Sequence, residues 1–581
     1  MSAMAPAPPV ANLDSDGLER GIGFLGLLWA SEASIIGSGW LFGALGAATI
    51  AGPSALISWA VASVIVIILA LIHAELGGLF PVTGGTSRFP HYAFGSFAGA
   101  TFGWASYLQA ASVAPIEVLA AVQYAGSYSW GKHFLNSSNE LHNVGLVIAI
   151  VLMFFFVALN LVGIAWLSRI NVVLTSWKVL IPVITVLVLL VFKFHSGNFS
   201  HGGGFFVKGA AIKDVLIAIP SGGIVFSLLG FEQAVQLAGE AKNPAKDLPR
   251  AVIASILIGA TLYILIQLAF IAALSPHLLL EAHTWTNLDP TKQNAALHAL
   301  NTAPFYSVAK VAGLTWLAVL LRADAIISPG GTGLVYETST SRIGFGLAKN
   351  GFVPSSFEQV SRRTKVPVVA IVVSAIIGLL FLLPFPSWTK LVGVVTDASV
   401  LMYAGAPLAL GALRLQKPNL PRPYAIPAAA IMAPLGFVLA SLIVYWAGWQ
   451  DLTTVIVAMF VGYALIGLNY LFKLNAKAPA MDWKAAQWIF AYFLGMLLIS
   501  YFGTFGGHAQ DPTDSGIIGG VGIFLHVLDH GGNNDLGLAG GILATMAFSL
   551  GIYFWAIAYR LPPAKVDEYV KDVYPTAMAS E

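Results

Sequence analysis

The chain has 581 residues, of which 57% are hydrophobic and only 10% charged, and its formal net charge is +2. Soluble domains carry about 25% charged residues, so most of this chain is in contact with lipid or with itself. Cysteine is absent, which excludes disulfides, thiolate metal sites and cysteine nucleophiles.

Residues 1–20, "MSAMAPAPPVANLDSDGLER", have neither a basic n-region nor an apolar h-region and read as a short disordered tail rather than a cleaved signal. Fourteen apolar runs follow, at 22–50, 53–80, 96–127, 143–166, 170–193, 214–239, 250–275, 304–334, 366–385, 388–414, 425–447, 452–473, 484–505 and 536–560. Each is near the roughly 20 residues that span a bilayer core. Ten-residue alternation of a β-barrel is absent, so the fold class is an all-α polytopic membrane protein with fourteen transmembrane helices. With the N-terminus placed in the cytoplasm, the cytoplasmic loops and tails collect most of the 29 lysines and arginines. The outer loops 276–303 and 506–535 are the longest. The first has helix-forming patches, and the second, rich in Gly, Asp and His, reads as irregular.

Span 1 is interrupted at Gly37-Ser38-Gly39 and span 6 within "SGGIVFSLLGFE". Five spans separate them, and five is odd, so the second half of a ten-span core (21–415) is inverted on the first, with repeats at 21–193 and 214–415. Paired interrupted helices in an inverted repeat mark a substrate site at the bilayer midplane. Unwound backbone in lipid survives only where it lines a cavity, although such glycines also serve close helix packing. Spans 11–12 (416–475) and 13–14 (476–560) lie outside the repeat and read as packing, oligomer contact or lipid anchoring. Residues 561–581 read as a cytoplasmic tail.

Ionisable groups within spans are functional hypotheses by default. Here they are Glu32, Glu117, Lys178, Glu232, Arg322, Asp324 and Asp397. Lys178 has no acidic partner on its own helix and lies about 12 Å into its span. That depth favours a proton-loading role over snorkelling. Glu232 opens the helix after the span 6 break, where it is either a cap on the positive dipole end or a gating group. Phe226, beside the same break, is a candidate lid. Arg322 and Asp324 are two apart and face different sides of their helix. Arg322 meets either an anionic substrate or, as buried charges commonly do, a structural partner, Asp397 or Glu117. The following Ser328-Pro329-Gly330-Gly331 weakens the helix. "HAELGG" at His73 is not a zinc-protease motif, and no nucleophile elbow, P-loop or dinucleotide fingerprint occurs. No catalytic set, metal or cofactor is expected, and basic residues never cluster with aromatics as nucleic-acid binding requires.

"SIIGSGWLFG", "LFPVTGGTSRFPHYAFG", "SLLGFEQAVQLAGEAKNPAKDLPRA" and "TSTSRIGFGLAKNGFVP" resemble the amino acid–polyamine–organocation transporter superfamily. "LPFPSW", "IVYWAGW" and "SYFGTFGGHA" are similar to its bacterial aspartate:proton symporters, and the resemblance covers about 21–562. It implies a leucine-transporter-like fold and alternating access around spans 1, 3, 6, 8 and 10. It places the substrate carboxylate on the N–H groups of Ser38 and Gly39, with Gly37 allowing the turn. The ammonium falls on the carbonyls of Ile35, Phe226 and Leu229. It makes Phe226 the aromatic gate, Glu232 the pH-responsive glutamate, and Lys178 the occupant of a sodium position beside the span 1 break. Glu32 and Arg322 match no general family role, and Asp324 follows the subgroup pattern without a settled one. The physics agrees in kind: a half-helix N-terminus presents unpaired N–H groups to an anion.

The resulting expectation is a transporter, not an enzyme: a proton-coupled amino acid importer of the bacterial cytoplasmic membrane, aspartate or glutamate its leading substrate. Its partners are the substrate, protons and lipids. An amino acid or polyamine exchanger, sodium coupling through Ser328, and a transporter-fold nutrient sensor stay open as alternatives.

Overall fold

The computed structural model describes residues 21–136, 139–162, 164–207, 211–288, 295–364, 366–382, 387–506 and 531–571. The tail 1–20, the last ten residues and most of the predicted 506–535 loop therefore lie outside the described residues. In chain order the helices are α1 (Phe24–Ile35), α2 (Gly39–Ala51), α3 (Ala55–Leu79), α4 (Gly85–Phe94), α5 (Ser96–Ala125), α6 (Asn143–Val162), α7 (Ile164–Phe192), α8 (Ala211–Ser221), α9 (Ile224–Leu228), α10 (Glu232–Gln236) and α11 (Pro244–Ala273). They continue with α12 (Pro276–Ala282), α13 (Ala295–Thr302), α14 (Pro304–Val311), α15 (Thr315–Lys349), α16 (Val368–Leu382), α17 (Trp388–Gln416), α18 (Ala429–Ala447), α19 (Trp449–Leu471), α20 (Trp483–Ala486) and α21 (Trp488–Phe502). Helices over Gly537–Ala558 and Pro563–Val570 follow.

Among the described residues, 11 helical stretches are long and apolar enough to cross a membrane, and Phe24–Ile35 and Val368–Leu382 are shorter apolar helices. The protein is thus an all-α multi-pass membrane protein. Helices are the natural solution because lipid offers no partner for backbone N–H and C=O groups. The membrane-crossing lengths of α5 and α17 are buried inside the protein, whereas α6 and α7 leave much of theirs facing outward. α5 and α17 therefore form the centre, and the large apolar side chains exposed on α6, α7, α16 and α19 are the surface that lipid covers.

Two of the predicted runs are broken. α1 stops at Ile35 and α2 starts at Gly39, with Ile36 in a non-helical conformation (φ −93°, ψ 83°). The sixth run divides into α8, α9 and α10, turning at Gly223 (φ +81°) and at Gly230 (φ +128°), values that glycine adopts without strain. The breaks touch: a Cβ on Gly230 would lie 2.6 Å from the Ile35 nitrogen. By contrast α15 runs unbroken through Ser328-Pro329-Gly330-Gly331, contrary to the weakening expected there. Ser328 and Thr332, on either side of Pro329, bond the Ile36 and Ala33 carbonyls and tether α15 to the first break.

One face of the bundle gathers the chain's entry, the α10–α11 turn and the ends of α3, α15 and α17. Gly21 and Ile22 N–H groups donate to the Glu240 carbonyl, and Arg342 pairs with the Glu240 carboxylate at 2.6 Å, both side chains buried. This pair joins the "GEAKNP" and "TSTSRIG" stretches. Glu75, fully buried, accepts from Arg414 (2.8 and 2.7 Å), Arg422 (3.1 Å) and the Ile426 N–H (2.7 Å). Removing one partner of such a cluster leaves uncompensated charge at a cost of about 3–5 kcal/mol. Glu75→Ala is therefore expected to destabilise by about 3 kcal/mol, the low end of that range, because the Arg414 side chain keeps 31% exposure. A thermal melt of the purified protein measures it.

The segment after the last long helix is partly docked rather than a free tail. The Leu561 N–H donates to the Ala93 carbonyl, Tyr569 Oη donates to Asp482 Oδ2 (2.7 Å), and Lys417 pairs with Asp567. The 276–303 stretch forms α12 and α13, and α14 follows.

Candidate functional site

Breaking α1 releases carbonyls and N–H groups that would otherwise bond within the helix, and side chains from four other helices meet them. Tyr263 Oη (α11) donates to the Ile35 carbonyl at 2.6 Å. Ser328 Oγ and Thr332 Oγ1 (α15) reach the Ile36 carbonyl, each at 3.3 Å, and Thr332 also bonds the Ala33 carbonyl at 2.8 Å. Lys178 Nζ (α7) donates to that same Ala33 carbonyl and to Thr332 Oγ1 (2.6 Å). The Ser38 N–H donates to Glu117 Oε2 (α5) at 2.8 Å, and Ser38 Oγ to Oε1 at 3.0 Å.

The second break is closed by its own carboxylate. Glu232 Oε2 accepts from the Gly230 N–H (2.8 Å) and from Tyr403 Oη (2.6 Å), and Oε1 accepts from Tyr336 Oη (3.0 Å) and Gln233 Nε2 (3.3 Å). The carboxylate thus braces the turn ahead of α10 rather than the N–H groups of its first turn. It also ties α15 and α17 to the α9–α10 turn.

Between the breaks lies a small cavity lined by Ser34, Ile35, Gly37, Gly39, Val113, Glu117, Phe226, Leu229, Thr332 and Tyr336. Among these lining residues there is one acidic side chain and no lysine or arginine. Trp388, at the first residue of α17, covers one end: its Nε1 donates to Ser38 Oγ (2.8 Å), its ring stacks on Phe42 (centroids 5.3 Å) and meets Phe226 edge-on (5.7 Å). Gly37 fits because a Cβ there would come within 2.7 Å of both Glu117 Oε1 and Thr332 Oγ1. The Lys178–Thr332 pair and Glu117 thus flank the Gly37 backbone.

The structure brings together Ile35, Gly37, Ser38, Gly39, Phe226, Leu229, Glu117 and Lys178, and sets Glu232 just behind them. Asp324 is fully buried beside this group: Oδ2 accepts from Trp40 Nε1 at 3.1 Å, and its charge bears on Lys178. Glu32 is buried with both carboxylate oxygens lacking a hydrogen-bond partner. One expectation is corrected. Arg322 pairs with neither Asp397 nor Glu117; its guanidinium lies 3.9 Å from the Tyr306 ring centroid and 4.3 Å from that of Tyr128, and it bonds Ser127. A short loop after α5 and the nearby α14 offered it π-faces, which no spacing in the sequence reveals. Asp397 in turn faces no arginine, and its oxygens have no hydrogen-bond partner. Sequence reasoning also missed Thr332, Tyr263, Tyr336, Tyr403 and Trp388. A polar tip deep in an apolar run was the available signal.

The profile of the amino acid permease family matches residues 22–467. The chain is 37% identical over 500 residues to the glutamate/serine transporter AimA of Bacillus subtilis, covering 84% of this chain and 89% of that protein. It is 31% identical over 555 residues to the aspartate-proton symporter of the same organism, covering 94% and 98%. The branched-chain amino acid permease BcaP of B. subtilis is 26% identical over 492 residues, covering 80% and 95%.

Proposed function

The chain belongs to the amino acid permease family, a transporter and not an enzyme, and from that premise we propose that it imports an acidic amino acid together with protons by alternating access. Fourteen crossings, five inverted onto five with four appended, and both termini in the cytoplasm complete the reading. The observation that carries it is Lys178, fully buried, with its ammonium on the Ala33 carbonyl beside the break and on Thr332. A fixed cation there takes the place a sodium ion would need, and a lysine can give its charge up where an ion must leave.

The substrate's carboxylate is proposed to take the Ser38 N–H, and its ammonium the carbonyl side of the breaks at Ile35, Phe226 and Leu229. Glu117 already holds the Ser38 N–H. Two carboxylates at one helix end cannot both stay ionised. Substrate entry therefore favours a proton on Glu117, whose charge and that of Lys178 bear on each other. Phe226 and Trp388 close over the bound molecule. A cavity lining without a basic side chain also supports protons entering with an acidic substrate. The substrate class rests on the names of the two relatives, which give glutamate, serine and aspartate.

Uptake into proteoliposomes of labelled aspartate, glutamate, serine and a panel of neutral amino acids tests the reading. The expected result is accumulation of aspartate or glutamate only with the outside acidic. Uptake indifferent to the pH gradient, or confined to neutral substrates, overturns it.

A further inference from the structure

Asp397 lies nine residues into α17 and is buried to 1% exposure, and neither carboxylate oxygen has a hydrogen-bond partner. A bare carboxylate in such a place is costly unless something neutralises it. Its neighbour is a second acid. Asp451, in the first turn of α19, packs its carboxylate against Gly393, where a Cβ would run into it. Gly393 and Asp397 are four apart on one helix face. Side chains on a helix tilt toward its N-terminus, so the Asp397 carboxyl leans toward Gly393 and hence toward Asp451, whose charge bears on it.

Other ionisable groups around α17 have other partners: His73 of α3 bonds the Leu69 carbonyl through Nδ1 and sets its ring edge-on to Tyr403, and Lys390 pairs with Glu140 at 2.9 Å. Glu75 of α3 is held by Arg414 and Arg422, and Glu117 of α5 by Ser38. Lys213 and Asp214 sit partly exposed in the first turn of α8. α4, with Arg88 and His91, reaches α17 through Pro90 at Gly405 and the Ala93 carbonyl at Gln416, toward the other end. The Tyr445 hydroxyl of α18 accepts from the Thr504 N–H, and Tyr553 of the Gly537–Ala558 helix packs its hydroxyl on Gly411. Tyr492 of α21 bonds Ser441 Oγ at 3.0 Å and is within reach of the Asp397 charge.

We propose that Asp397 and Asp451 form a second proton-binding site, distinct from the break and built where α17 meets the appended helices. Two facing carboxylates cannot both be ionised in apolar surroundings. Asp451 lies at a helix N-terminus, which favours its anion, and is partly exposed. The proton therefore resides on Asp397, in mid-helix and without a donor. A metal ion would need more oxygen ligands than two carboxylates supply, and among the described residues no group of three or more metal-capable side chains exists. The site bears on transport because α17 also carries Trp388, on Ser38, and Tyr403, on Glu232. Losing the proton sets two like charges against each other across α17 and α19 and pushes on the helix that touches both breaks.

The inference stands apart from the proposed substrate and coupling, and infrared difference spectroscopy of the purified protein in lipid tests it without either. Near neutral pH the wild type is expected to show protonated carboxyl C=O intensity that shifts in D2O. Asp397→Asn, nearly isosteric with the neutral acid, is expected to lose one carboxyl's share of it while melting like the wild type. In Asp451→Asn the new carboxamide donates to Asp397 and the opposing charge is gone, so that share is expected to vanish at a lower pH than in wild type. Glu32→Gln is the control and leaves the Asp397 share in place. Unchanged intensity in Asp397→Asn overturns the proposal; if that variant does not fold, a wild-type titration in Asp451→Asn overturns it.

Discussion

Lys178→Gln is expected to cut the initial rate of pH-gradient-driven uptake by about a hundredfold, the equivalent of roughly 3 kcal/mol, the scale of removing one member of a buried charge cluster. The ammonium holds the Ala33 carbonyl and Thr332, and Glu117 and Asp324 both act on its charge. Glutamine can still donate to the carbonyl but cannot gain or lose charge. Exchange of labelled for unlabelled substrate at equal pH on both sides needs no net proton movement, so it is expected to persist. The paired measurement separates coupling from folding. Wild-type gradient-driven uptake by Lys178→Gln removes the lysine from the coupling role, and loss of exchange as well assigns it to the scaffold.

How much of this site was legible in the chain depended on the range of the interaction. Gly37-Ser38-Gly39 announces a local event, a helix interrupted where three small residues give no support to a continuous turn, and α1 does stop at Ile35. A lysine eight residues into an apolar run is likewise visible from one segment. Partners were not visible, because each lies far away along the chain. Glu117 reaches Ser38 across 79 residues, and Tyr403 reaches Glu232 across 171. Arg322 shows the failure most clearly. The sequence offered acidic partners, and the fold supplied two tyrosine faces from Tyr128 and Tyr306. Ser328-Pro329-Gly330-Gly331 misled in the other direction. Those residues weaken an isolated helix, but α15 packs against α5, α7 and α16 and runs on regardless of local propensity. The appended helices read as inert packing, and Asp451 drew no notice because it sits at a helix end, where an acid is ordinary.

Gly230→Ala is expected to be among the most damaging single-methyl additions in the protein. Gly230 has φ +128°, a conformation closed to L side chains at a cost of about 1–3 kcal/mol. The added Cβ would also lie 2.6 Å from the Ile35 nitrogen and 2.9 Å from the Ser34 carbonyl carbon. Those are backbone atoms of the other break, and they cannot turn aside as a side chain does. α1 must then separate from the α9–α10 turn, and the Gly230 N–H to Glu232 bond at 2.8 Å is strained with it. Substrate affinity is expected to fall at least about tenfold, 1.4 kcal/mol, with a lower melting temperature as the strain appears in the folded state. Gly467→Ala in α19 supplies the contrast. Nothing lies within 4 Å of its would-be Cβ, and helix propensity alone favours alanine there by about 0.8–1 kcal/mol. Binding and melting measured on both variants decide the matter. If Gly230→Ala binds and melts as Gly467→Ala does, the two breaks do not need to touch, and the cavity between them is not where the substrate is held.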